Sequence, residues 1–423
     1  MKINRRSFLT HGSKGFTALL VRSLASGLPV AYLLDPSESR AQQMMSSDIQ
    51  TLILSTSSRG DPINVNCPGS YVDGVTNNPN LETARANFGS TRARAAQVWC
   101  GLPNDLRQRL AFFHYRPRSA AHPEYRSVMA MKGSIKNDVG NGSEMFASAM
   151  SQLAYSMAEY KQVEPIPLCD SSLTFLAQPL QQIKPLDLKA LFSPTDQDLV
   201  DLRRTRDQVL DGLYANMQVR GNLAQREFIE RYASSRVQAR NLGTQLGDLL
   251  NDLPTDPEEN NTPLDQVIAA VALAKARISP VMTINIPFGG DNHQDTGLVN
   301  EATQTTEGVQ LIGRLWSELK EAGIQDQVSF ATMNVFGRRS YTNTRGGRDH
   351  NQHHAVMVAF GKNVQGGVYG GMNSEGQATA INGIPPELTM EAAGFSMARA
   401  LGHSNQVVQA RIPNGQLVNS FLA

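Results

Sequence analysis

Among 423 residues, 39 Lys and Arg against 38 Asp and Glu leave a formal net charge of +1, and the chain carries three cysteines. That near-neutral balance, without a long basic run, excludes the electrostatic footprint of a nucleic-acid binder. Cys67, Cys100 and Cys169 are too few for a disulfide framework, and an odd number leaves at most one bridge and a free thiol with no assigned pairing.

The N-terminus reads as an address. Asn4-Arg5-Arg6-Ser7-Phe8-Leu9-Thr10 presents the arginine pair and following apolar pair of a twin-arginine signal, and a weakly apolar stretch runs from Phe16 to Leu34. Arg22, Ser23, Ser26, Gly27 and Pro29 interrupt that stretch, whereas a permanent span needs roughly 20 mostly apolar residues. Ser39-Arg40-Ala41 offers the small residues of a cleavage site, so residues 1–41 are expected to leave during export by the twin-arginine translocase and the mature protein to start near Gln42 in the periplasm or outside the cell. Removal takes away six positive charges (Lys2, Arg5, Arg6, Lys14, Arg22, Arg40) and two negative ones (Asp35, Glu38), moving the net charge from +1 to about −3.

Short β-branched or alternating runs follow at Thr51 to Ser55, Val281 to Ile286, Val328 to Met333 and Ala355 to Phe360, each ending near Gly or Asn. Between the second and third, Val309, Ile312, Trp316 and Leu319 fall on one helical face that Gly323 closes. Strand, crossover helix, strand predicts a βαβ unit with parallel strands. A last helix opens at Pro386-Glu387, carries Leu388, Ala392, Phe395 and Ala398 at helical spacing, and stops at Gly402.

From about Gly142 to Arg277 the pattern is helix after helix: Met150, Leu153 and Met157 share a face, Ser193-Pro194-Thr195-Asp196 is a capping signal, and Leu199, Leu202, Val209 and Leu213 follow it. Asp252 to Pro263 is a polar, proline-rich connection before a further amphipathic helix with Leu264, Val267, Ile268 and Val271. The organisation expected is thus a leader over 1–41, an N-terminal part of an α/β core over 42–141, a packed helical insertion over 142–277, and the C-terminal part of the core over 278–423.

Chemistry concentrates in two glycine-flanked segments. Gly289-Gly290-Asp291-Asn292-His293 follows the strand at 281–286, and Gly346-Gly347-Arg348-Asp349-His350 precedes the strand at 355–360. Carboxylate beside imidazole on flexible backbone supplies the oxygen and nitrogen ligands of a divalent metal, and loops at the carboxyl ends of parallel strands line the ligand crevice. Asp61, just beyond the first strand, would reach the same edge. His353 and His354 are adjacent at a strand start, so only one faces the crevice and the other is expected at the surface. His114, His122 and His403 have no aspartate neighbour and read as structural.

Thr283 to His293, Asn334-Val335-Phe336-Gly337-Arg338, Gly347 to His350, and Gly366-Gly367-Val368-Tyr369-Gly370 occur in the order seen in the family called domain of unknown function 1501, which this chain resembles over about 280–402 and 50–68. The resemblance implies an alkaline-phosphatase-like, sulfatase-like fold: a mostly parallel sheet with helices on both faces and a helical insertion. It also implies two divalent ions (zinc, manganese or calcium) at the carboxyl edge, with Asp291 and His293 on one, Asp349 and His350 on the other, and Asp61 contributing. Such ions would clamp a small anionic phosphate or sulfate ester, with Arg338 and Arg348 donating to its oxygens; a structural salt bridge is the rival role of Arg338. Three departures weaken the enzyme reading, and two of them, Ala121 and Val335, favour the alternative of a non-catalytic envelope binding or assembly protein. Relatives show Trp-Asp-Thr-His and a glutamate where this chain has Gly290 to His293 and Val335, and Ser-His-Phe where it has Ala121-His122-Pro123. A covalent route would therefore need Ser119, Ser70 or another residue, and a metal-bound hydroxide acting directly is the remaining route.

Overall fold

The computed structural model describes residues 49–57, 59–60, 63–124, 128, 145–158, 160–169, 173–176, 178–192, 197–253 and 261–423. The leader over 1–41, Asp61, the capping signal at 193–196 and most of the connection at 252–263 lie outside these residues. No helix among the described residues is long and apolar enough to cross a membrane.

Seven strands form the central sheet: β1 (Thr51–Ser57), β2 (Ala111–Tyr115), β3 (Ile166–Pro167), β4 (Val281–Ile284), β5 (Val328–Asn334), β6 (Ala355–Phe360) and β7 (Gly367–Tyr369), in the order β7-β2-β6-β5-β1-β4-β3. β1 pairs in parallel with β4 from Leu52 opposite Val281, and with β5 from Thr51 opposite Val328 to Ser57 opposite Asn334. β3 is parallel to β4, and β7 to β2. Only β6 runs against its neighbours, with Ala359 opposite Ala331 of β5 and His114 of β2 opposite Val356. Near-continuous burial of β1, β4, β5 and β6 is what strands covered on both sides require.

Alternation along the strands splits the core in two. Ile53, Phe112, Met282, Ile284, Phe330 and Val358 face α5 (Pro263–Lys275) and α6 (Val299–Glu321), whereas Leu52, Leu54, Phe113, Val281, Met333 and Met357 face α1 (Phe146–Tyr155) and α7 (Thr389–Ala400). The protein is therefore a mixed α/β fold with helices on both faces of a mostly parallel sheet.

Helix α6 buries Val309, Ile312, Trp316 and Leu319, and it stops where Gly323 takes φ 70° and donates to Lys320 O at 3.0 Å, as its sequence predicts. The predicted βαβ pairing is modified: β4 and β5 run parallel but β1 lies between them. A 23-residue crossover helix readily bridges two strand spacings of about 4.8 Å each, and β1, from far upstream in the chain, fills the gap.

Helices over 142–277 fall into two groups. α1 and α5 are layers of the core, and the segment between them even adds strand β3 to the sheet edge. α2 (Pro185–Phe192) and a long hairpin, α3 (Gln197–Arg220) and α4 (Leu223–Leu249), form the elaboration. Asn222 caps α4 through a reciprocal box with Gln225, which fixes the hairpin turn. The expectation of a uniformly packed helical layer fails in α3: Leu202, Val209 and Leu213 are exposed. The residues it turns toward α4 are polar instead, with Asp207 and Asp211 holding the fully buried Arg236 at 2.9 and 2.8 Å.

Candidate functional site

The sheet delivers the chemical residues to one edge. Parallel β1, β4 and β5 leave the sheet there toward Gly60, the 289–293 loop and Arg338, and β2 leaves it toward Ser119 and His122. Antiparallel β6 enters where they leave, so the segment preceding it, Gly347 to His354, arrives at that edge too. A two-residue ladder sets Arg338 opposite His350. Glycines permit the convergence: any side chain on Gly347 would collide with Asn292 O, and one on Gly60 would strike the Phe336 ring and Arg338. Asp61 follows Gly60 directly but lies outside the described residues.

At the rim, Asp291 and His293 form a pair. Asp291 Oδ1 sits 2.5 Å from His293 Nδ1 and accepts from the His293 backbone N–H at 3.1 Å. Those hydrogen bonds, ring first and backbone second, hold the Asp291 carboxyl below its ordinary range. A carboxylate on Nδ1 makes that nitrogen the donor, so in the neutral ring Nε2 carries the lone pair. It faces Asp349 Oδ1 at 3.9 Å. Asn343 braces both loops, donating to His293 O at 3.1 Å and Asp349 Oδ1 at 2.9 Å.

His350 lies against His293, ring centroids 4.7 Å apart, and stacks on Phe336 at 3.9 Å and 25°. Its Nδ1 donates to Ala120 O at 2.5 Å, since a carbonyl only accepts. Its Nε2 is buried with no hydrogen-bond partner among the described residues. Burial depresses its pKa, the Ala120 carbonyl opposes this, and Arg338, His293 and His122 add to the depression. His122 closes the cluster from the β2 side, 4.9 Å from His350 and 5.1 Å from Phe336. His122 has no aspartate neighbour in sequence, and antiparallel pairing of β2 and β6, which juxtaposes loops 228 residues apart, sets it beside His350.

Beneath the rim lies a fully buried polar layer. Arg338 donates to Arg348 O at 3.3 Å and to Gly290 O, tying the two chemical loops together. Asn64 exchanges two 2.7 Å bonds with the Arg338 backbone and contacts His354 Nδ1 at 3.3 Å. His354 Nε2 is 2.8 Å from His114 Nδ1, and His114 Nε2 is 2.8 Å from Pro68 O. Since Pro68 O can only accept, the chain has one self-consistent assignment: both rings neutral with hydrogen on Nε2, each accepting at Nδ1. Burial drives His114 down to about 4 and His354 well below its ordinary value, which agrees. His354 is thus interior rather than at the surface, and His353 is half-buried.

Arg348 is not available to a ligand. Its Nε meets Glu301 Oε2 at 2.6 Å with both side chains fully buried, and its remaining donors reach Arg339 O and Thr76 O at 3.1 and 2.7 Å. Glu301 also accepts from Asn66 and Asn78 at 3.0 and 3.2 Å. Ser119 is 2% exposed, and its hydroxyl donates to Ala121 O at 3.4 Å. Cys67, Cys100 and Cys169 are free thiols.

The structure thus brings together Asp291, His293, Asp349 and His350, backed by Arg338. Sequence reasoning passed over His122, Phe336, Asn343 and Glu301; only Asn343, in a polar turn before Gly346-Gly347, carried a local signal. Among the described residues no three His, Cys, Asp or Glu side chains are grouped closely enough to hold a metal ion. The donor chemistry nonetheless fits a cation, because His293 Nε2 and Asp349 Oδ1 are two acceptors facing one another.

No curated protein matches the chain. A family model matches residues 186–392, which takes in α2 through the start of α7 and every rim loop except those after β1 and β2. The chain belongs to the family described as Protein of unknown function (DUF1501).

Proposed function

We propose that this is an exported, metal-dependent hydrolase of phosphate or sulfate esters, built on an alkaline-phosphatase-like sheet and working in the periplasm or outside the cell. The observation that carries the reading is the rim pair: His293 Nδ1 tied to Asp291 while its Nε2 faces Asp349 at 3.9 Å. Imidazole fixed by an outer carboxylate is the arrangement that orients metal-binding histidines. In this reading His293 Nε2, Asp349 and His350 Nε2 are ligands, with Asp61 the carboxylate supplied from β1. Asp291 then orients His293 rather than coordinating. Mixed nitrogen and oxygen donors suit zinc or manganese better than calcium, which prefers oxygen alone.

When bound, the ion supplies positive charge to the non-bridging oxygens of the ester. Arg338, spent on two carbonyls, holds the loops in place and adds its charge from below. Because Ser119 is buried and bonded, water is the attacking group in this scheme rather than a serine.

Metal analysis of purified mature protein, together with assays on chromogenic phosphate and sulfate monoesters and diesters, tests the proposal. Stoichiometric zinc or manganese and ester hydrolysis, both lost in a folded D349A/H350A variant, are expected. Metal-free protein inert on every ester, with biological activity unchanged in D349A/H350A, would instead establish the second reading, an envelope binding or assembly protein; the bonded state of Ser119 and the alanine at 121 favour that alternative.

A further inference from the structure

Helix α3 is amphipathic in an inverted sense. Asp207, Leu210, Tyr214 and Gln218 form the half-buried stripe toward α4, where Arg236 reaches Asp207 and Asp211 and lies 5.2 Å from the Tyr214 ring. About a third of a turn round the helix, at 100° per residue, runs a second stripe made of Leu202, Val209, Leu213 and Met217. These four side chains are 65%, 65%, 48% and 44% exposed. Single exposed leucines are ordinary, but a row of four along one helix marks an interaction surface.

The ends of that row identify the occupant. Asp198 stands in the first turn of α3 and Arg220 in the last, both exposed and both at the angular position of the apolar row. Opposite charges at opposite ends of one apolar stripe are self-complementary under a two-fold axis. We infer that the α3–α4 hairpin is a dimerisation arm, and that its partner is the α3 stripe of a second copy of this chain running antiparallel. A two-fold near Val209 sets Leu202 beside Met217 of the second copy, gathers Val209 and Leu213 of both at the centre, and brings Asp198 to Arg220 of the second copy twice. Antiparallel packing also opposes the two helix dipoles. The product is a four-helix arrangement, and it does not depend on the function proposed above.

Length sets the strength. Twenty-four residues span about 36 Å, so a strip about 10 Å wide covers about 360 Å² on each copy and about 720 Å² in all, the size of a weak, transient interface. An interface of that size places the association in the weak range, with a dissociation constant on the order of micromolar or higher.

Sedimentation equilibrium of the mature protein from about 0.5 to 100 μM, a range chosen to bracket a micromolar constant, tests the inference. A monomer–dimer equilibrium in that range is expected, and L213E, at an exposed position that folding does not need, should raise the dissociation constant at least tenfold. D198R and R220D should each weaken the dimer several-fold, and the double variant D198R/R220D should restore it, because each copy then meets the reversed charge. Monomer throughout the range overturns the inference. So does a dimer indifferent to L213E, which would place the contact elsewhere, and so does failure of the double variant to recover while both singles are weakened.

Discussion

The rim of the site and the layer directly beneath it are built from the same residue types, arginine, histidine and carboxylate, and they differ in how their polar atoms are used. Below, Arg338, Asn64, His354 and His114 form a chain in which every ring nitrogen has a defined role, and Arg348 is closed by Glu301 and two carbonyls. Above, His293 and His350 each have Nδ1 fixed and Nε2 left open toward the crevice or unpartnered. Satisfied polar groups in a low-dielectric interior hold geometry; half-satisfied ones at a cleft mouth are available for chemistry. Changes in the lower layer should therefore register as lost stability, and changes at the rim as lost binding with little loss of stability.

The largest effect belongs to the ion pair. Arg348→Met strands the Glu301 carboxylate with no exposure, and breaking a buried pair from one side costs about 3–5 kcal/mol. Glu301→Gln on that background keeps an oxygen for Asn66 and Asn78 while removing the charge, and should recover most of the loss. Denaturant unfolding of the single and double variants measures it. A cost below about 1 kcal/mol for Arg348→Met, the range of an exposed pair, would erase the distinction between the two layers.

Acid provides the next test. His114 and His403 are both pushed down to about 4 by burial, from an ordinary value of 6.5. A folded pKa below the unfolded one means that the unfolded chain binds more protons between these limits, so stability is intact above about pH 6.5 and falls as pH drops toward 4. Each ring contributes a loss on the order of 3 kcal/mol across that window. His403 has neither ring nitrogen paired among the described residues. His403→Leu should therefore be neutral or stabilising at pH 7 and should flatten the acid limb, which a series of unfolding curves from pH 7 to 4 reads directly. An unchanged acid limb in that variant would show that His403 titrates freely.

Much of this architecture was legible in the sequence wherever the determinant was local. The turn at Gly323, the face of α6, the last helix and the glycine-flanked Asp-His segments each follow from spacing and backbone freedom. What could not be read depends on which distant strands pair. Nothing near His122 says that β2 will lie beside β6, yet that pairing alone carries His122 to His350. The two arginines 338 and 348 look alike in sequence, and Glu301, 47 residues upstream on α6, decides that Arg348 is structural. In α3 the 3.6-residue period was correct but its meaning was reversed, because the charges of Asp207 and Asp211 were needed by Arg236 inside the hairpin and the leucines were left outside.

The smallest effect on stability, and the sharpest test of the rim, comes from Asp291→Asn. The Asp291 side chain is 83% exposed, so the substitution should change stability by no more than about 0.5 kcal/mol. Its effect on His293 is chemical. An amide can turn its NH₂ toward Nδ1, and a ring that accepts there carries its proton on Nε2, pointed at Asp349. The lone pair would then be missing from the face where a cation is proposed to sit. Loss of such an outer partner typically costs about 10–100-fold in metal affinity, which zinc titration calorimetry reads, while nitrogen NMR of the imidazole reports the tautomer independently. A switched tautomer with unchanged affinity would reduce Asp291 to a turn carboxylate and remove His293 Nε2 from the site; a joint change would mean that the rim works through the orientation Asp291 imposes on one ring.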